Sequence, residues 1–185
     1  MAAEAGGPAG GGGGPGGGPA DAWPGMPAAE VARVARHLAA LGATYQCNGG
    51  WAVDALLGRQ TRPHGDLDLF VDAAVVPGLV AWLEADGYRV VEDWLPVRVE
   101  LRDGARAVDV HPMRVAPGGD GVQALLGGGS LVHPAAGRVV GTVGGEPVVV
   151  ADAATLLALR EGYAPRAVDR HDVALLRGLL DGSAS

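Results

Sequence analysis

Two aspartates separated by one leucine, Asp66-Leu67-Asp68, stand where acidic and apolar residues alternate. Alternation of period two marks a half-buried strand, which puts both carboxylates on one face, roughly 7 Å apart along the backbone. Like charges this close repel, and a cation between them relieves the repulsion. Carboxylate oxygens suit Mg²⁺, an ion usually held by one or two carboxylates together with substrate phosphate oxygens. An ordinary acidic strand face would carry the same residues. Asp109 adds weight, because it interrupts the apolar run 107–110, where an aspartate needs water or a cation as partner. Gly49-Gly50 lies between a short strand candidate and a helix. Paired glycines let backbone N–H groups approach an anion closely, although the pair alone is also a plain turn.

These residues need elements to position them. Residues 28–41 carry Val31, Val34, Leu38 and Leu41 at helical spacing, with Gly42 as the stop. A short extended segment over 44–48 follows, then a helix over 51–57 closed by Gly58. Residues 59–65 are polar and hold Pro63, so they read as a loop. The strand over 66–71 leads into a helix bearing Val75, Leu79, Trp82 and Leu83. Strands are expected over 88–92, 97–101 and 107–111, the last two joined by a turn at Asp103-Gly104, with Pro112 ending the third. The glycine-rich stretch 117–129 reads as a mobile loop. A hairpin around Gly144-Gly145 (138–143 with 147–150) and two helices, 152–161 and 167–180, complete the chain. This order predicts an α/β or α+β fold: a short mixed sheet flanked by helices, with a small C-terminal helical tail.

Composition narrows the function. Of 185 residues, 32 are glycine, and ten of those fall within the first twenty. That stretch has almost no large side chain, so residues 1–24 are expected to be a disordered tail. The remainder divides into a catalytic domain over 25–150 and a helical segment over 151–185 packed on it. Net charge is −7, and every one of the 14 basic residues is arginine. This argues against a polynucleotide partner and leaves room for a small phosphate held by arginines, or for a cationic substrate. The single cysteine, Cys47, reads as a small buried hydrophobe in a cytoplasmic protein. No signal-peptide pattern opens the sequence, and no apolar run reaches the ~20 residues of a membrane span. Trp51 and Trp82 read as packing residues, and His37 and His133 as surface or loop residues.

Taken together, Gly49-Gly50-Trp51-Ala52-Val53-Asp54, Gly58-Arg59-Gln60-Thr61-Arg62-Pro63-His64, Asp66-Leu67-Asp68-Leu69 and Val108-Asp109-Val110-His111-Pro112 form a recognisable order. Gly162-Tyr163 and Asp169-Arg170-His171-Asp172 extend it. The chain resembles the nucleotidyltransferase superfamily that includes DNA polymerase β, and within it the aminoglycoside 2″-adenylyltransferase and lincosamide nucleotidyltransferase group. The resemblance implies that Asp66, Asp68 and Asp109 hold two Mg²⁺ ions. It also implies that Gly49 and Gly50 cradle a nucleoside triphosphate (ATP is expected), and that Arg62, His64 and Arg170 lie near its phosphates. The implied reaction transfers a nucleoside monophosphate to a hydroxyl of a small cationic acceptor, releasing pyrophosphate, in a monomer or homodimer. Glu100 reads either as a residue binding that acceptor or as a solvated edge charge, and Trp94 either as packing or as lining the acceptor cleft. Two rivals share the same core: a toxin component modifying RNA or protein, and a nucleotide-binding module without turnover. The doublet His171-Asp172 also occurs in metal phosphohydrolases, but those are all-helical and need further helical histidines.

Overall fold

In the first helix, α1 (Ala28–Ala40), Val31, Val34 and Leu38 fall on one stripe, and all three are buried. The computed structural model describes residues 25–160 and 164–182; the expected tail and the pair Gly162-Tyr163 lie outside the described residues. After α1 come β1 (Tyr45–Cys47), α2 (Gly49–Leu57), β2 (Leu67–Asp72) and α3 (Val76–Ala85). Strands β3 (Arg89–Trp94), β4 (Arg98–Asp103), β5 (Arg106–Val115), β6 (Gly121–Ala124) and β7 (Ser130–His133) form a run of antiparallel pairs. The hairpin β8 (Arg138–Val143) and β9 (Glu146–Ala151) precedes α4 (Ala153–Ala158) and α5 (Ala167–Leu180).

Among the described residues all the strands join one mixed sheet in the order β3-β4-β5-β2-β1-β9-β8, with β6 added to β5 and β7 to β6. The pairs β2–β5 and β1–β9 are parallel. Strand β2 is central, and its alternation is the expected one: Leu67, Leu69 and Val71 are fully buried, while Asp68 points to the opposite face. The hairpin β8–β9 turns at Gly144-Gly145, both at positive φ, as a two-residue loop requires. Leu156 of α4 and Leu176 of α5 belong to the same core as the strands.

Two expectations about this half of the chain need correction. Residues 117–129 are not simply a loop, because β6 and β7 pair across 121–133 and extend the sheet. Nor does Pro112 end β5. It lies between Val110, which pairs with β4, and Met113, which pairs with β6, so neither antiparallel neighbour bonds across to it.

Helix α2 is buried along most of its length and presses on β8, where a Cβ on Gly141 would meet the Ala55 carbonyl oxygen at 2.6 Å. Gly141→Ala is therefore expected to destabilise the protein by about 2 kcal/mol through overpacking, read as a fall in the midpoint of thermal unfolding.

Candidate functional site

Asp68 and Asp109 are direct register partners on the parallel strands β2 and β5. The same row runs on through Glu100 of β4 to Glu92 of β3, so four neighbouring strands present carboxylates on one face. Burial, and then the charges of Asp66 and Asp109, push the Asp68 carboxyl up to about 7. Burial also opposes ionisation of Asp109, but hydrogen bonds and charge from His111 and Arg98 outweigh it and hold that carboxyl below its ordinary value. Arg98 Nε donates to both oxygens of Asp109, at 2.6 and 2.7 Å, and its other nitrogens donate to Glu92 and Glu100. One guanidinium thus neutralises part of a three-carboxylate cluster.

Asp66 precedes β2 and is exposed, yet it lines the same cleft as Asp68. That cleft has a volume of about 710 Å³. Its wall is the start of α2, where Gly49 adopts φ +63 and lies so close to Asp68 that a Cβ would overlap the carboxylate. No side chain caps this helix start, although Asn48 occupies the capping position. The Asn48 side-chain oxygen Oδ1 accepts instead from Gln46 Nε2, and its Nδ2 is buried with no partner.

On the opposite wall, Arg62 binds Asp172 of α5 through two nitrogens, at 2.9 and 2.8 Å. Arg160 donates to the same carboxylate at 3.1 Å and to the Gly49 carbonyl at 3.0 Å. These contacts tie the C-terminal helices to the turn beside Asp68.

The sites expected from the sequence separate into two groups. Asp66, Asp68, Gly49, Gly50 and Arg62 line the cleft, and Asp109 adjoins Asp68. His64 and Arg170 do not line it. His64 is buried behind the turn, where it bonds Asp54 and packs on Trp51. Arg170 is exposed on α5 and donates to the Pro165 carbonyl; Arg160 and Arg166 are the C-terminal arginines that reach the cleft. Glu100 is buried and held by Arg98 and Arg102, so it is no solvated edge charge. Trp94 is 45% exposed on the edge strand, with the Arg98 guanidinium over its ring.

One histidine departs from its expected place, and another joins the carboxylates. His133 is buried rather than on the surface and bonds Gln46 and Gln123. His111 stacks on Phe70, and one ligand atom from each of Asp68, Asp109 and His111 lies within 4.8 Å of the other two. The spacing Asp109-x-His111 put both side chains on one strand face, a signal the sequence did contain. Cys47 is buried as expected, and burial pushes its thiol up.

Residues 30–176 match the family model of aminoglycoside-2''-adenylyltransferases. The chain belongs to this family. Membership of the aminoglycoside-2''-adenylyltransferase family agrees with two curated relatives. A lincosamide resistance protein of Staphylococcus haemolyticus is 38% identical over 90 residues, covering 48% of this chain and 56% of the relative. A 2''-aminoglycoside nucleotidyltransferase of Klebsiella pneumoniae is 49% identical over 45 residues, 24% of this chain and 25% of the relative. The matches thus span about half of the first relative's length and a quarter of the second's. Among solved structures, the lincomycin-bound lincosamide antibiotic adenylyltransferase LnuA superposes with a TM-score of 0.76 at 26% identity, covering 84% of this chain and 99% of that one. The complex of ANT(2'')-Ia with adenylyl-2''-tobramycin shares the fold, with a TM-score of 0.66 at 21% identity over 83% and 88% of the two chains. Family membership places the mixed sheet and its flanking helices in the nucleotidyltransferase fold. Among the described residues no helix is long and apolar enough to cross a membrane.

Proposed function

We propose that this protein is an antibiotic nucleotidyltransferase. It would move a nucleoside monophosphate, with ATP as the expected donor, to a hydroxyl of a lincosamide- or aminoglycoside-like molecule. The observation that carries the reading is the side-by-side placement of Asp68 and Asp109 beside the glycine turn that opens α2. A divalent cation fits this place. Asp68 is a half-buried carboxylate forced toward its neutral form by desolvation and then by two others, and a cation would relieve that cost. Asp66, Asp68 and Asp109 would hold magnesium ions, which when bound offset phosphate charge and acidify a coordinated hydroxyl.

The protein's own residues then have distinct tasks. Gly49 and Gly50 line the cleft at a helix start without a side-chain cap, where backbone N–H groups would receive the phosphates. Arg62 and Arg160, two cations sharing one carboxylate, leave positive charge at the cleft wall for the pyrophosphate. The acceptor oxygen would attack the α-phosphorus as the bond to the bridging oxygen breaks and pyrophosphate leaves, with Asp109 either helping to hold the cation that acidifies the hydroxyl or taking its proton. A cationic acceptor would lie toward Glu92, Glu100 and Trp94, where carboxylates crowd Arg98.

Calorimetric titration with non-hydrolysable ATP and GTP analogues, with and without Mg²⁺, tests the reading. Binding of one of them that requires Mg²⁺ is expected, followed by pyrophosphate release when lincomycin or tobramycin is offered with the natural nucleotide. A folded protein that binds neither analogue would favour a nucleotide-independent role.

A further inference from the structure

Four buried side chains link the two ends of the site. Gln46 Nε2 lies 3.0 Å from Asn48 Oδ1 and 3.4 Å from His133 Nδ1. His133 Nε2 lies 3.0 Å from Gln123 Oε1, and Gln123 Nε2 lies 3.3 Å from His111 Nδ1. Phe70 packs against both imidazole rings and fixes their planes. With the amides turned this way, His133 carries its proton on Nε2, and His111 accepts at Nδ1. His111 Nε2 is then an N–H facing Asp109 Oδ2, 3.5 Å away. The same arrangement strands Asn48 Nδ2 as a buried donor with no partner.

Turning the amides of Asn48, Gln46 and Gln123 by 180° moves no heavy atom appreciably and reverses every bond in the chain. Asn48 Nδ2 and His133 Nδ1 then both donate to Gln46 Oε1. Gln123 Nε2 donates to His133 Nε2, and His111 Nδ1 donates to Gln123 Oε1. The stranded buried donor disappears, leaving in its place a carbonyl, the less costly group to leave unpaired. At the far end His111 Nε2 becomes a bare lone pair beside Asp109 and Asp68. Three lone-pair donors within 4.8 Å of one another repel unless a cation joins them. The bonding that satisfies Asn48 is thus the bonding that makes His111 a ligand.

Resting on the nucleotidyltransferase reading above, we infer that His111 is a third, nitrogen ligand of the divalent cation beside Asp68 and Asp109, and that Gln123 positions it. An imidazole in place of an oxygen shifts preference from Mg²⁺ toward first-row transition ions such as Mn²⁺. A metal-bound histidine normally donates its other ring N–H to a fixed acceptor, which Gln123 Oε1 supplies.

Mn²⁺ is the probe, bound to the full-length protein and followed by pulsed electron paramagnetic resonance and by calorimetry. The bound ion is expected to show coupling to one imidazole nitrogen, lost in His111→Ala. Mn²⁺ affinity should fall about tenfold in that variant, with Mg²⁺ affinity changed less than about threefold. Gln123→Leu should keep the nitrogen coupling and weaken Mn²⁺ binding about tenfold. Thermal unfolding checks that both variants are folded. Bound Mn²⁺ that shows oxygen ligands only, and is lost in Asp68→Asn, would overturn the histidine ligand and leave the proposed function standing. A wild-type protein that binds no Mn²⁺, with or without nucleotide, would overturn both.

Discussion

Asp68→Asn is expected to abolish nucleotidyl transfer while making the metal-free protein more stable at neutral pH. The amide keeps the shape of the side chain and removes its charge, so the proposed cation site loses its central carboxylate. A loss of about a thousandfold or more in turnover is expected, comparable to deleting a principal electrostatic contact to a transition state. Stability moves the other way because the folded carboxyl, at about 7, lies above its unfolded value. A raised acid costs nothing while it is protonated in both states. The cost grows as pH climbs through the unfolded pKa and is complete above the folded one. The wild-type metal-free protein should therefore lose stability between about pH 4 and pH 7 relative to Asp68→Asn. Melting curves at pH 4 and pH 8 check this: the variant should melt a few degrees higher at pH 8 and at the same temperature at pH 4. Mg²⁺ should raise the wild-type midpoint at pH 8 and leave the variant unmoved. A variant that retains wild-type turnover would remove Asp68 from the cation site.

Gly49→Ala is expected to have the second largest effect, because two penalties meet at one atom. The residue adopts φ +63, a conformation costing a residue with Cβ about 1–2 kcal/mol. Its Cβ would also overlap Asp68 Oδ2, so the carboxylate must leave its present position. Gly58 separates the two penalties. It has φ +67, and nothing lies within 4 Å of its Cβ position. Gly58→Ala should therefore lower the melting temperature by a few degrees and keep turnover near wild type. Gly49→Ala should lose at least about a hundredfold in turnover and bind Mg²⁺ weakly. Equal loss of activity in both variants would mean that backbone strain, and not the collision with Asp68, sets the effect.

Much of this site was legible because local rules produced it. The alternation Leu67-Asp68-Leu69 makes β2 a strand with one acidic face, and Val108-Asp109-Val110 does the same for β5. The glycine pair before an apolar helical segment marks the turn, and Gly49 does adopt positive φ. Those motifs together are the ones by which the chain resembles the family whose model matches residues 30–176. The errors came where the sequence pattern was silent about partners. Residues 117–129 are rich in glycine, yet β6 forms because β5 continues past Pro112 and offers it an edge. His133 has no sequence neighbour to suggest a role and becomes buried only when β7 folds back on β6.

Sequence alone determined the helices, the strands β2 and β5 with their acidic faces, and the glycine turn that opens α2. These follow from side-chain periodicity and glycine geometry, which are local. Tertiary structure decided which charges meet. The register between β2 and β5 sets Asp68 beside Asp109, and the fold of β4 brings Arg98 onto that carboxylate. The packing of α5 gives Arg62 its partner in Asp172, 110 residues away, and leaves Arg160 rather than Arg170 at the glycine turn. Coulombic and hydrogen-bond energies depend on distances of a few ångströms, and distances between residues remote in sequence exist only once the sheet has chosen its order.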